Sequence, residues 1–160
     1  MKDVVEKIRP LAIVAHEGQT RKFNKEPYVN HPFRVGDSFE DPLRCALGYG
    51  HDMIEDTRGT DKEVTPEFLS KAGIPEAVII RLIALTKSEY ETYFDYIMRL
   101  VDFDLVVIDV KLADLADNMS DLHEGSLKDK YRLAAYILEQ SRERLLAAQE
   151  NVKRLEKYDR

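Results

Sequence analysis

Apolar positions along this chain recur at steps of three and four, a period that predicts helices rather than strands. The pattern divides into eight helical segments: Lys2 to His16, Pro32 to Phe39, Asp41 to Ile54, Thr65 to Lys71, Pro75 to Leu85, Glu89 to Val101, Leu105 to Met119 and Lys128 to Tyr158. Only Leu105-Val-Val-Ile reads as a strand, and the helical period carried on to Met119 decides against it. The third segment has the clearest start, with Asp41 as N-cap, Pro42 in the first position and Leu43, Cys45, Ala46 and Leu47 following. Gly48 and Gly50 then interrupt it. Each costs a helix about 1 kcal/mol, so another backbone or a ligand is expected to approach there. In the last segment Tyr131, Ala134, Leu138, Leu145, Ala148, Val152 and Leu155 form a seam broken only by Ser141. Such a seam serves either the chain's own core or a homo-oligomer contact, and its small residues favour the core for the first half. The expected architecture is an all-α helical bundle with a long C-terminal helix (128–158), one domain over 1–160, without repeats or linkers.

Composition narrows the class. At 160 residues, 44% hydrophobic and 34% charged, the chain suits one well-buried core and is too short for a second domain of ordinary size. A net charge of -6 speaks against duplex nucleic acid, whose phosphates require concentrated lysine and arginine. Cys45 is the only cysteine, which excludes an internal disulfide and leads us to expect a reducing, cytoplasmic setting. No apolar run approaches the ~20 residues that span a bilayer, and the charged N-terminus is unlike a secretory signal, so no membrane is expected.

The candidate chemistry begins at His51-Asp52, followed by Glu55 and Asp56, four metal-binding or proton-handling groups within two helical turns. The residues before them are largely apolar, so part of this cluster is expected to face inward. A buried, unpaired carboxylate costs several kcal/mol, and a metal ion is one way to offset that. His31, just before Pro32, is biased toward an extended conformation at the mouth of a helix. In LVVIDVKLADLADNM, Asp114 shares an apolar stripe with Val107 and Val110, one turn before Asn118. Taken singly, His31 reads as a cap or core histidine and Asp114 as an ion-pair partner of Lys111. Together the segments supply two imidazoles and two carboxylates, a donor set suited to manganese, iron, cobalt or zinc rather than calcium. His16 reads as packing at the end of the first helix and His123 as a loop residue.

The strings AHEGQTRKFNKEPYVNHP, HDMIEDT, LTK and VKLADLADNM, in this order, resemble the HD superfamily of metal-dependent phosphohydrolases. Within it, the chain is most similar to the hydrolase domain of RelA/SpoT-type enzymes and their stand-alone small relatives, which remove the 3′-pyrophosphate from ppGpp and pppGpp. The resemblance covers roughly residues 10 to 122. It implies an HD-domain fold and a single divalent ion, usually manganese, held by His31, His51, Asp52 and Asp114. It implies Glu55 and Asp56 as the acidic pair beside the attacking water. Arg21 and Lys22 match the basic pair that grips substrate, Tyr28 the tyrosine before the first ligand histidine, and Asn118 the polar residue bordering the nucleotide. The implied partner is a phosphorylated small molecule, a nucleotide.

Two departures bear on substrate. Phe23-Asn24-Lys25 is one residue longer than the usual spacing, and Lys25 itself reads as part of a solvated loop. Alarmone hydrolases typically carry a basic residue after the last ligand aspartate and a histidine or tyrosine two residues later, where this chain has Leu115 and Asp117. An added anion there is expected to repel a pyrophosphate. Three functions therefore stand open: hydrolysis of an alarmone, hydrolysis of another phosphate ester or nucleoside phosphate, and non-catalytic binding of a nucleotide or protein on an HD scaffold.

Overall fold

The computed structural model describes residues 1–158; Asp159 and Arg160, the end of the expected domain, lie outside the described residues. Among the described residues there are nine helices: α1 (Lys2–Ala15), α2 (Asn30–Asp37), α3 (Pro42–Gly50), α4 (Met53–Asp56), α5 (Pro66–Lys71), α6 (Glu76–Leu85), α7 (Tyr93–Val101), α8 (Leu105–Ser120) and α9 (Ser126–Tyr158). Their starts follow the capping rules. Side chains of Asp41, Thr65, Thr92 and Asp104 each accept a backbone N–H three residues on, relieving donors that the first turn leaves unpaired.

Besides small shifts such as α9 starting at Ser126 rather than Lys128 and α2 ending at Asp37 rather than Phe39, three boundaries differ from the sequence expectation with a local cause. The predicted helix Asp41–Ile54 is two helices, because the chain turns at His51-Asp52, where Asp52 has ψ near -10°. Asp52 stands at the N-cap of α4 but its carboxylate makes no capping bond and stays available. α2 begins at Asn30 rather than Pro32, because the amides of Asn30, His31 and Phe33 bond back to Pro27, Tyr28 and Val29. Pro32 then falls in the first turn, where its missing N–H costs nothing. α7 starts at Tyr93, where Thr92 caps it, and Ser88–Glu91 form the loop before it.

α3 is the hub of the packing. α1 and α2 lie against it, α8 crosses both α2 and α3, and α9 covers α7 and α8. Ile8, Leu47, Leu82, Leu100, Ile108 and Leu138 are fully buried members of the single apolar cluster at the centre. α2 and α3 approach at Gly36 and Gly48: a Cβ on Gly48 would lie 2.6 Å from the Gly36 Cα. At Gly48 the penalty reflects a backbone, one of the two expected causes, whereas Gly50 faces the side chains of Leu82, Met53 and Ile8 rather than a backbone or a ligand.

The first half of α9 turns Ala134, Leu138 and Ser141 inward, Ser141 donating its hydroxyl to the Val101 carbonyl at 2.6 Å. The seam continues outward with Val152 and Leu155, both exposed. No described helix is long and apolar enough to cross a membrane.

Candidate metal centre and phosphate site

Three elements bring the predicted residues together. The first turn of α2 carries His31, the α3–α4 turn carries His51 and Asp52, and α8 carries Asp114. Because Gly36 and Gly48 let α2 and α3 touch, the imidazoles meet edge to face with centroids 5.1 Å apart. The His51 Nδ1 lies 2.8 Å from the Gly48 carbonyl, which can only accept, so Nδ1 carries a proton. The His31 Nδ1 lies 2.7 Å from the Asp117 carboxylate and donates in the same way. Both Nε2 atoms therefore point into the cluster. His31 Nε2 is 3.0 Å from Asp114 Oδ1 and 3.5 Å from Asp52 Oδ2; His51 Nε2 is 3.4 Å and 3.1 Å from the same two oxygens.

Although these atoms are close, both Nε2 atoms are buried with no partner in hydrogen-bond geometry. That is the arrangement of ligands around a cation. Ligand-competent atoms of His31, His51 and Asp114 lie within 4.8 Å of one another, and Asp52 reaches both imidazoles as well. Burial by itself would lower both histidine pKa values, but Asp114, Asp117 and Asp52 overturn this and push His31 up to about 11. For His51, Asp52 and Asp114 do the same, up to about 10. Burial likewise opposes ionisation of Asp52 and Asp114, yet His51 and His31 beside Asp52, and Lys111 and the imidazoles beside Asp114, hold both carboxyls well below their usual range. The cluster thus demands positive charge, as protons or as a metal ion.

Surrounding groups fix this core. Tyr28 donates its hydroxyl to Asp52 at 2.7 Å, and Asn118 donates its amide to Asp114 Oδ1 at 2.6 Å. Lys111 pairs with Asp114 Oδ2 at 2.7 Å. The ion pair expected with Lys111 is on Oδ2, and Oδ1 is left facing the two imidazoles. Glu55 accepts the Lys87 backbone N–H at 2.8 Å. Asp56 has one buried, unpartnered oxygen; burial, then Asp52 and Glu55, raise its pKa to about 7.

Arg21 is buried with its donors engaged: two bonds to Asp121 (2.8 and 3.1 Å) and longer ones to Asp117 and Asn118 (both 3.4 Å). The additional residue in its loop is absorbed at the tip, where Lys25 adopts φ 61° and Arg21 N still bonds Glu26 O. Lys22 is exposed on the rim.

Two cavities adjoin the cluster. One of about 260 Å³ has Asp52, Glu55, Asp56, Lys87, Lys111 and Lys130 in its wall. The other, about 270 Å³, has Arg21, Lys22, Phe23, Asp121 and Leu127. Tyr28, Asn118 and Tyr131 line both.

Several neighbours escaped the sequence reading. His16, expected merely to pack, is buried beside Tyr28 with its Nδ1 3.8 Å from Asp56 and its pKa lowered by burial. Its side of the site closes through the loop 17–29, which local periodicity cannot reveal. Lys130 and Tyr131 come from α9, where Tyr131 read only as part of the apolar seam. Lys87 was visible in the LTK string, but no local rule aimed its backbone at Glu55. Asp117, expected to be a free repelling anion, is paired with His31 and Arg34. Leu115 is buried in the apolar cluster and also touches the cavity wall. His123 is an exposed loop residue, as expected.

No family model matches the chain. Among curated proteins, the bifunctional (p)ppGpp synthase/hydrolase SpoT of Escherichia coli is 34% identical over 149 residues, covering 83% of this chain and 20% of SpoT. A guanosine-3′,5′-bis(diphosphate) 3′-pyrophosphohydrolase of Haemophilus influenzae is 31% identical over 131 residues, 76% of this chain and 19% of that protein. The chain resembles the SpoT-type (p)ppGpp hydrolases over most of its own length. A GTP pyrophosphokinase of Myxococcus xanthus is 31% identical over 149 residues, 86% of this chain and 19% of the relative. The chain spans about a fifth of the length of these relatives. A solved structure described as a metazoan ortholog of SpoT that hydrolyzes ppGpp shares the fold, with a TM-score of 0.66 at 19% identity over 91% of this chain and 95% of that one. The fold is therefore the all-α HD-type helical bundle.

Proposed function

We propose that this chain is a metal-dependent phosphohydrolase acting on a nucleotide, with the 3′-diphosphate of ppGpp as the most specific candidate bond. The observation that carries this reading is the pair of buried, unpartnered Nε2 atoms facing two carboxylates at the wall of a cavity that also contains three lysines. His31, His51, Asp52 and Asp114 would hold one divalent ion, for which manganese suits the mixed nitrogen and oxygen donors. Such an ion, when bound, lowers the pKa of a water from ~15.7 toward about 7 and polarises a phosphoryl oxygen.

The chain's own groups do the rest. Glu55, fixed by the Lys87 amide, and Asp56, with its unpartnered oxygen, would accept the proton of the attacking water. Lys87 and Lys130 meet phosphate charge in the same cavity, while Lys22 does so from the rim of the other. Tyr28 and Asn118 hold Asp52 and Asp114 in place and border both cavities. Retention of both carboxylates favours an enzyme over a binding module, which has no evident need of them.

A second substrate reading has its own support. Arg21, the strongest phosphate grip implied by the resemblance, is already engaged by Asp121, Asp117 and Asn118. Another phosphate ester or nucleoside phosphate that needs no arginine clamp fits this equally well. The deciding experiment incubates Mn2+-loaded protein with ppGpp, nucleotides and generic phosphate esters, measuring phosphate and pyrophosphate separately. Pyrophosphate released from ppGpp alone establishes the alarmone reading. Phosphate from simpler esters establishes the alternative, and no release from any compound overturns both.

A further inference from the structure

Asp117 lies outside the four residues that would hold the ion, at a position where the resemblance implies a histidine or tyrosine, yet it joins one of them, His31, to Arg34 and Arg21. Its Oδ2 accepts the His31 Nδ1–H at 2.7 Å, and both oxygens take a fork from Arg34 at 2.5 and 3.0 Å. The same Oδ2 is 3.4 Å from Arg21 Nη1. Arg34 is held in turn by Glu26 at 2.8 Å, and Arg21 by Asp121. The Asp117 side chain is 12% exposed, and its contacts to His31 and Arg21 are shielded from solvent, while Arg34 closes the outer side.

We propose that Asp117 is a positioning residue: it presents His31 Nε2 to the metal site and joins that ligand to Arg34 of α2 and to Arg21 of the loop 17–29. The inference rests on the metal reading above. An imidazole has two nitrogens, and only the one without a proton coordinates. A carboxylate on Nδ1 fixes the proton there, locks the ring against rotation and makes Nε2 a better donor. His51 obtains the same tautomer from the Gly48 carbonyl, which is uncharged. Of the two, only His31 receives a carboxylate, and the Arg34 fork holds that carboxylate in orientation. Asp117 is therefore engaged inward, with its charge met by two arginines.

The test measures Mn2+ affinity by calorimetry in the parent, Asp117→Ala and Asp117→Asn. A second arm loads the proteins with diamagnetic Zn2+ and follows the His31 Nδ1–H proton resonance. The alanine variant is expected to bind Mn2+ about 10- to 100-fold more weakly, the usual effect of losing such a partner. Its Nδ1–H proton should exchange rapidly with water. Asparagine keeps an acceptor oxygen without the charge, so it should restore a slowly exchanging proton and part of the affinity. It also keeps the test decisive if the alanine protein fails to fold, because a merely structural role would leave the asparagine variant at parental affinity. Parental affinity and proton exchange in the variants overturn the inference while leaving the proposed function intact. Failure of the parent itself to bind Mn2+ overturns the proposed function.

Discussion

At the scale of single residues, Glu55 and Asp56 adjoin in sequence but occupy different environments. Glu55 has a firm partner in the Lys87 amide, and its pocket holds lysines. Glu55→Gln keeps that bond and the local shape while removing proton acceptance. It should retain Mn2+ and lose about 10²- to 10⁴-fold in turnover, measured by phosphate or pyrophosphate release. Asp56 is held in a place that penalises its charge, with a pKa up to about 7. The native state therefore binds this proton more tightly than the unfolded chain does. Stability from it is complete below about pH 4 and is lost as pH rises through about 7. In metal-free protein, Asp56→Asn should melt higher than the parent at pH 8, by on the order of 1–2 kcal/mol, and the difference should vanish below pH 4. Equal melting at pH 8 would show that the Asp56 carboxylate carries no such strain.

At the scale of elements, the site depends on how closely α2 and α3 approach. A Cβ on Gly48 would lie 2.6 and 2.7 Å from the Gly36 Cα and N, backbone atoms that cannot swing aside as a side chain can. Gly48→Ala should therefore push α2 away from α3, costing about 1–3 kcal/mol by overpacking, readable in a denaturant melt. Because His31 rides on α2 and His51 on α3, the same change should weaken Mn2+ binding disproportionately. Gly59→Ala, at a loop position with open space but φ 69°, offers a comparison with backbone strain and no displacement of these helices. The turn that separates α3 from α4 is also functional in its geometry, since it frees the Asp52 carboxylate from capping.

At the scale of the whole molecule, one cluster draws on α2, α3, α4 and α8, so occupation by an ion should tie four elements together. An ion that binds only the folded state stabilises by about 2.7 kcal/mol at 100 times its Kd. For a chain of 160 residues this raises Tm by roughly 5–10 °C. Differential scanning with and without Mn2+ should show this shift in the parent and not in Asp52→Ala or His51→Ala. An equal shift in those variants would place the ion elsewhere.

The chain's apolar period, its caps at Asp41, Thr65, Thr92 and Asp104 and its two close glycines are local properties, which is why helix content and the approach at Gly48 were legible from sequence. Motif order also named the residues that converge, because helix faces fix which side chains point the same way. What no local pattern carries is who stands opposite whom. The break at His51-Asp52 is a local backbone turn that the continuing apolar period did not signal. Asp117 looked like a free anion because Arg34 and His31 lie more than eighty residues away in sequence, and only the crossing of α2 over α8 makes them its partners. Arg21 looked like a free cation until the loop 17–29 folded it onto Asp121. The sequence by itself determined which groups are present and which face of each helix holds them; the tertiary structure decided which charges are already paired. Pairing depends on distances between elements, and those are set by packing rather than by spacing along the chain.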